Sequence, residues 1–203
     1  MGFGRIIRRV MSTVPVSAQL DTIYVNYFDS ITDAKTKALM AICSDIVAKQ
    51  KPRAIYFLFS SAGGQVPAGI TLYNFLRSLP AEIVMHNTGS IDSIANVIFL
   101  AASKRYAAKH SSFLFHGISW NFATGASLTF SQLRETLSSF EREEAKITSI
   151  MAERTKMSQA EIKELFLQGE SKDLTFAIEK GVISEIRDPS VPKDAPLITV
   201  NLN

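Results

Sequence analysis

Residues 54–59, "AIYFLF", restrict the fold more than any other stretch of this chain. Six consecutive apolar residues with no polar alternation mark a strand covered on both faces. Such a strand needs helices above and below it, and sheets built that way pair in parallel. The run stops abruptly at "SSAGGQV", residues 60–66.

The flanking sequence repeats the same unit. "DTIYVNYF" (21–28) alternates, with Ile23, Val25 and Tyr27 on one face, and reads as a strand. In "TDAKTKALMAICSDIVAKQ" (32–50), Leu39, Ile42, Cys43 and Ile46 recur at helical spacing. After the glycines a helix opens with Pro67 near its first position and carries Leu72, Leu76 and Leu79 along one side. "EIVMH" (82–86) is a further strand, followed by "NTGSIDSIANVIFLAASKRY" (87–106), a polar turn leading into an apolar helix. "RYAA" and "SSFLFH" (111–116) supply more strand. Strand and helix alternate three times, which predicts an α/β fold with right-handed crossovers.

The second half changes character. One helical pattern runs from Leu128 to Arg154, with Phe130, Leu133, Leu137, Phe140, Ile147 and Met151 on one face, interrupted by Glu144. A helix of ~25 residues is long for a globular domain, and one of that length often packs against a partner. "SQAEIKELF" (158–166) opens with a capping box, Ser158 and Glu161, and its helix ends at Gly169. A last short helix near Phe176–Lys180 closes at Gly181. The expected division is a basic arm (1–20), a body (21–187) and a Pro-rich tail lying on the surface (188–203).

Composition narrows the function classes. With 203 residues, 46% of them hydrophobic, the chain can bury one core, as a single domain. The net charge of +3 equals the contribution of Arg5, Arg8 and Arg9, which sit in an acid-free first 20 residues. The body is therefore neutral and has no basic stripe, so nucleic acid is not an expected partner. One cysteine, Cys43, excludes an intramolecular disulfide, fits a reducing compartment such as the cytoplasm, and falls on an apolar helix face. No apolar run approaches the ~20 residues of a membrane span. The arm does not read as a secretory leader, and Ile6 breaks the myristoylation pattern. Its arginines faintly resemble an organelle import peptide; a disordered or oligomer-contacting arm is the equal alternative.

Three features fall at strand ends, where open α/β sheets place their sites. Gly63-Gly64 permits a close backbone approach, or is an ordinary tight turn; no Lys-Ser/Thr follows, so it is not a phosphate loop. Ser93 stands at a helix start where Ser90 and Asp92 are available as caps, with the N–H of Ile94 and the helix dipole facing an incoming anion. His116 ends a strand, and the three histidines form no pair at metal-ligand spacing. Each feature alone is ordinary. Together they are the parts of serine hydrolysis: oxyanion donors, nucleophile and base. No cofactor chemistry finds comparable support.

In that order and spacing the chain resembles the Clp protease proteolytic subunit family, within the Clp protease/crotonase fold. "IYFLFSSAGGQVPAGITLYNFL" looks like that family's strand, Gly-Gly turn and helix. "GSIDSIANVIFLAASKRYA" looks like its nucleophile helix, "SFLFHG" its histidine strand, and "AERTKMSQAEIKELF" the segment after its long handle helix. The resemblance, over roughly Thr22 to Ile186, implies repeated strand–strand–helix units and a protruding handle helix. It implies Ser93 as nucleophile, His116 as general base, and the N–H groups of Gly63 and Ile94 as the oxyanion hole. It further implies a homo-oligomer of stacked rings, unfolded polypeptide as substrate, and ATP used only through a partner unfoldase of the AAA+ kind. Several positions depart from the pattern: Asp92 replaces a small residue, Ala62 a proline, and Gly117-Ile118 a Gln-Pro. The stretch holding the third triad member is shortened, which leaves Glu170 as the expected acid and Asp173 as its rival. Two other readings remain: a ring component that kept the fold and lost catalysis, and a crotonase-type acyl-CoA enzyme. A Ser–Lys site lacks a lysine with an evident place beside Ser93.

Overall fold

The computed structural model describes residues 21–119, 124–125 and 127–200, so the basic arm lies outside the described residues. In chain order the elements are β1 (Thr22–Phe28), α1 (Asp33–Gln50), β2 (Ala54–Ser61), α2 (Val66–Ser78), β3 (Glu82–Asp92), α3 (Ala95–Phe99) and β4 (Lys104–Ala107). They continue with β5 (Ser112–Leu114), α4 (Phe130–Arg154), α5 (Gln159–Gln168), β6 (Ser171–Lys172), α6 (Leu174–Glu179), β7 (Glu185–Ile186) and β8 (Leu197–Thr199).

The apolar strand β2 lies inside the sheet, parallel to β1 on one side and β3 on the other. The order is β6-β5-β3-β2-β1-β8, and only the short β5–β6 pair is antiparallel. Leu39, Cys43 and Ile46 of α1 and Leu72 and Leu76 of α2 are buried against it, as their spacing predicts. Pro67 occupies the first turn of α2, where its missing N–H leaves no bond unmade.

The strand β3 is longer than its apolar core suggests. Val84–Asn87 pair with β4, while Ser90–Asp92 pair with β5, so the sheet forks along this one strand. The polar residues 87–92 stay extended because distant groups satisfy them. Asn87 Nδ2 donates to Ser112 O (2.9 Å), and the Ser60 hydroxyl accepts from Ser90 N (3.2 Å) and donates to Ser90 O (3.0 Å). These bonds stand where the β2–β3 register slips, between Phe59 and Ser61. The helix expected after the turn is correspondingly short, only Ala95–Phe99, with all five residues buried.

Two arginines tie the second half to the first. Arg105 donates to the carbonyls of Ala102, Val182, Gly181 and Arg154, and Arg154 donates to those of Leu100 and Ala102. Burial, with Arg154 nearby, brings Arg105 down to about 10. The helix α4 starts behind a capping box of Thr129 and Gln132 and buries Ile147, Thr148 and Met151 near its end. Its first turns have no cover in the single chain: Phe130, Leu133 and Leu137 are 75%, 49% and 58% exposed.

The C-terminal segment is mostly exposed and also pairs with the sheet. It adds β8 to the sheet edge alongside β1, with Val200 buried, and Val191 and Ala195 cover Tyr24, Tyr56 and Val84.

Candidate active site

Two residues separate β3 from α3, and the first is Ser93. Its φ is 58°, in the left-handed region, which costs an L-residue about 1–2 kcal/mol. The turn is pinned from several directions. Ser93 N–H donates to Leu114 O (2.9 Å), and Ser93 O accepts from both the N–H (3.1 Å) and Nδ2 (3.1 Å) of Asn96. Asn96 Nδ2 also reaches Leu114 O (2.9 Å). Backbone strain held by surrounding bonds is a common property of functional sites. Neither Ser90 nor Asp92 caps the helix: the N-cap is Ile94, with no side-chain bond. A five-residue helix also provides little dipole, so the electrostatic part of the expectation at Ile94 falls away. What remains is its N–H, which carries no hydrogen bond among the described residues.

Glycine 63 is required by contact. At φ 83°, a Cβ there would sit 2.7 Å from both Asp92 O and Ser93 Cβ, so only glycine lets the two turns touch. Its N–H, however, is donated to Ser61 Oγ (3.2 Å). The expected oxyanion donor at Gly63 is thus already engaged in this structure. Gly64 bridges Ile31 through Ile31 N to Gly63 O (2.8 Å) and Gln65 N to Ile31 O (2.8 Å), a pattern that leaves the Gly64 N–H unused. Gly64, rather than Gly63, lines a cavity of about 60 Å³ together with Ser93, Ile94 and His116.

His116 lies two residues beyond β5. The alternation of the strand persists to it, since Phe113 and Phe115 are buried while Leu114 and His116 are half-buried. Its Nδ1 is 2.7 Å from Gly117 O. A carbonyl can only accept, so Nδ1 carries the proton and Nε2 keeps its lone pair. Ser93 and His116 share the cavity without a hydrogen bond between them. The expected acids are committed elsewhere: exposed Glu170 pairs with Lys172 Nζ (3.1 Å), and Asp173 caps α6 by accepting from Phe176 N (2.8 Å). Neither contacts His116 among the described residues. Burial pushes the Asp92 carboxyl up, opposed by a bond from Ser90 Oγ (3.3 Å) and by attraction to His116. His86, by contrast, is buried between Tyr56 OH (2.8 Å) and Arg187 O (2.8 Å) and serves the packing.

Ile147, Met151 and Phe166 wall the cavity on its apolar side. A groove of about 580 Å³ shares Gly64, Val66, Ile118 and Ser119 with it and runs on past Gln65 to Phe140 and Glu143. Among the described residues no group of three or more His, Cys, Asp or Glu side chains is placed to hold a metal, and no helix is long and apolar enough to cross a membrane.

A family model described as Clp protease matches residues 10–190. The chain belongs to the Clp protease family. Among curated proteins it is 28% identical over 154 residues to "ATP-dependent Clp protease proteolytic subunit 2" of Pseudomonas aeruginosa, covering 72% of this chain and 74% of that one. It is 29% identical over 91 residues to an "ATP-dependent Clp protease proteolytic subunit" of Bigelowiella natans, covering 44% of this chain and 47%, about half, of the relative. Among solved structures, a ClpP1 mutant from Listeria monocytogenes superposes with a TM-score of 0.70 at 18% identity, covering 83% of this chain and 92% of the other. That likeness fixes the fold: mixed α/β, of the Clp protease/crotonase kind.

Sequence reasoning missed Asn96 and Gly64. Asn96 left a readable signal, a lone amide inside "IANVIFLAA", where an apolar helix would otherwise be unbroken. Gly64 left none, because choosing between adjacent glycines depends on the bridge to Ile31.

Proposed function

We propose that this chain is a serine endopeptidase that cleaves unfolded polypeptide through an acyl-enzyme. The observation that carries the reading is the strained Ser93 turn opening into one cavity with His116 and the unbonded N–H groups of Gly64 and Ile94. Ser93 Oγ attacks the scissile carbonyl carbon and its proton passes to His116 Nε2. The oxyanion forms against the N–H groups of Gly64 and Ile94. Collapse breaks the C–N bond, and His116 returns the proton to the departing amine. Water then enters, gives a proton to His116 Nε2 and attacks the acyl carbon; the bond from that carbon to Ser93 Oγ breaks, and His116 returns the proton to Ser93. The apo separation of Ser93 and His116 is compatible with this, because catalytic bonds commonly tighten only when substrate binds.

The exposed Phe130, Leu133 and Leu137 on α4 support self-association through that helix, as in the handle of a stacked-ring assembly. Delivery of substrate by an ATP-driven unfoldase is part of the proposal, supported by membership of the Clp protease family and by the words "ATP-dependent" in the names of the relatives. One observation favours a second reading, a ring component without catalysis: His116 Nδ1 meets a backbone carbonyl where a triad would have a carboxylate. Hydrolysis of a fluorogenic unfolded polypeptide by the purified protein separates the two. The peptidase reading requires turnover that Ser93→Ala and His116→Ala abolish; absence of turnover in the wild type, with and without an unfoldase, supports the second.

A further inference from the structure

We propose that Asp92 is the positioning carboxylate of this site, stabilising the positive charge that forms on His116 in the role expected of Glu170 or Asp173; the proposal rests on Ser93 and His116 acting as nucleophile and base. The sheet puts the two side chains together. Asp92 is the Cα partner of Leu114 in the parallel β3–β5 ladder, and His116 follows Leu114 by two residues. Partners in a parallel ladder share a face, and residues two apart return to it. The burial pattern agrees: Ile91, Phe113 and Phe115 turn into the core, whereas Asp92, Leu114 and His116 are half-buried on the other side. For extended chain, a strand spacing of ~4.8 Å and a rise of ~3.3 Å per residue put their Cβ atoms about 8 Å apart, a gap the two side chains close between them.

Among the described residues Asp92 has no other cationic partner. It takes part in no ion pair among the described residues, and its one hydrogen bond is from the neutral Ser90 hydroxyl. A half-buried carboxylate without a counter-charge is destabilised, and the charge within its reach is His116, whose attraction opposes the effect of burial. Glu170 and Asp173 are already engaged with Lys172 and with the start of α6. The work is also divided differently from a triad of the usual form. Gly117 O holds the Nδ1 proton and so fixes the tautomer, and Asp92 supplies the charge. Ser93 and its charge partner are then consecutive residues on one strand end.

The test compares Asp92→Asn, Asp92→Glu and Ser93→Ala for peptide hydrolysis, phosphonate labelling rate and melting temperature. Because Gly117 still holds the tautomer, Asp92→Asn is expected to lower kcat and the labelling rate ~10–100-fold, less than the ~10⁴-fold known for a triad whose tautomer is lost. KM should stay within about twofold. The melting temperature should not fall, and Asp92→Glu should recover part of the rate. An Asp92→Asn variant at the wild-type rate, with Ser93→Ala inactive, overturns this proposal alone. A rate loss that tracks a lower melting temperature and is not relieved by Asp92→Glu makes Asp92 merely structural, and also overturns it. Activity surviving in Ser93→Ala removes the underlying reading and the proposal with it.

Discussion

Replacing Gly63 by alanine tests the central packing contact of the site. The new methyl would lie 2.7 Å from Asp92 O and from Ser93 Cβ, and ordinary contact begins near 3.4 Å. The serine must therefore retreat by about 0.7 Å, the difference between those two distances. A left-handed φ of 83° adds about 1–2 kcal/mol for an L-residue, and crowding a packed site about 1–3 kcal/mol more. Gly169→Ala separates the two contributions: its φ is 60°, and no heavy atom lies within 4 Å of the added carbon. The excess loss in Gly63→Ala should thus be ~1–3 kcal/mol, or ~2–12 °C in Tm for a domain of this size. Because a displacement of ~1 Å can cost ~100-fold in rate, kcat should fall ~10–100-fold in Gly63→Ala and not in Gly169→Ala. Thermal melts and initial rates on a peptide substrate provide both readings. Equal melting temperatures for the two variants, with wild-type kcat at Gly63→Ala, would refute the argument.

Three further outcomes are expected. Leu133→Glu combined with Leu137→Glu should convert a large assembly to small species in sedimentation velocity while leaving far-UV helical signal intact; a wild-type monomer at micromolar concentration would contradict the proposed interface. Glu170→Gln should leave kcat within about twofold, and Asp173→Ala should lose about 1 kcal/mol of stability as a lost N-cap without a kinetic effect. Asp92 has a folded pKa raised above 3.8, so the stability linked to its protonated form is present below that value and lost as pH rises through the folded pKa; Asp92→Asn should therefore gain on the wild type in urea melts as pH increases over that range.

What the sequence made legible was local. The α1 and α2 faces, the Pro67 start and the Ser158–Glu161 box all depend on residues within a turn or two of one another, and the structure has each of them. The unbroken run of β2 also identified the inner strand of a parallel sheet. The errors lie where remote partners decide. Residues 87–92 read as a turn because nothing nearby indicates that Ser60 and Ser112 will satisfy their backbone and side chains. The Gly63 N–H is engaged and the Gly64 N–H is not because Ser61 and Ile31 determine which of the two is left unused. Glu170 was the expected acid, yet Lys172 holds it, while Asp92 is brought beside the histidine strand by a ladder whose partners, Asp92 and Leu114, are 22 positions apart, which no local pattern reveals.

The most direct measurement for the account is the site of covalent reaction with an alkyl fluorophosphonate, read by intact mass and peptide mapping. One adduct per chain is expected on Ser93, formed slowly in His116→Ala and not at all in Ser93→Ala. An adduct on another serine, or equal labelling of Ser93→Ala, would contradict it.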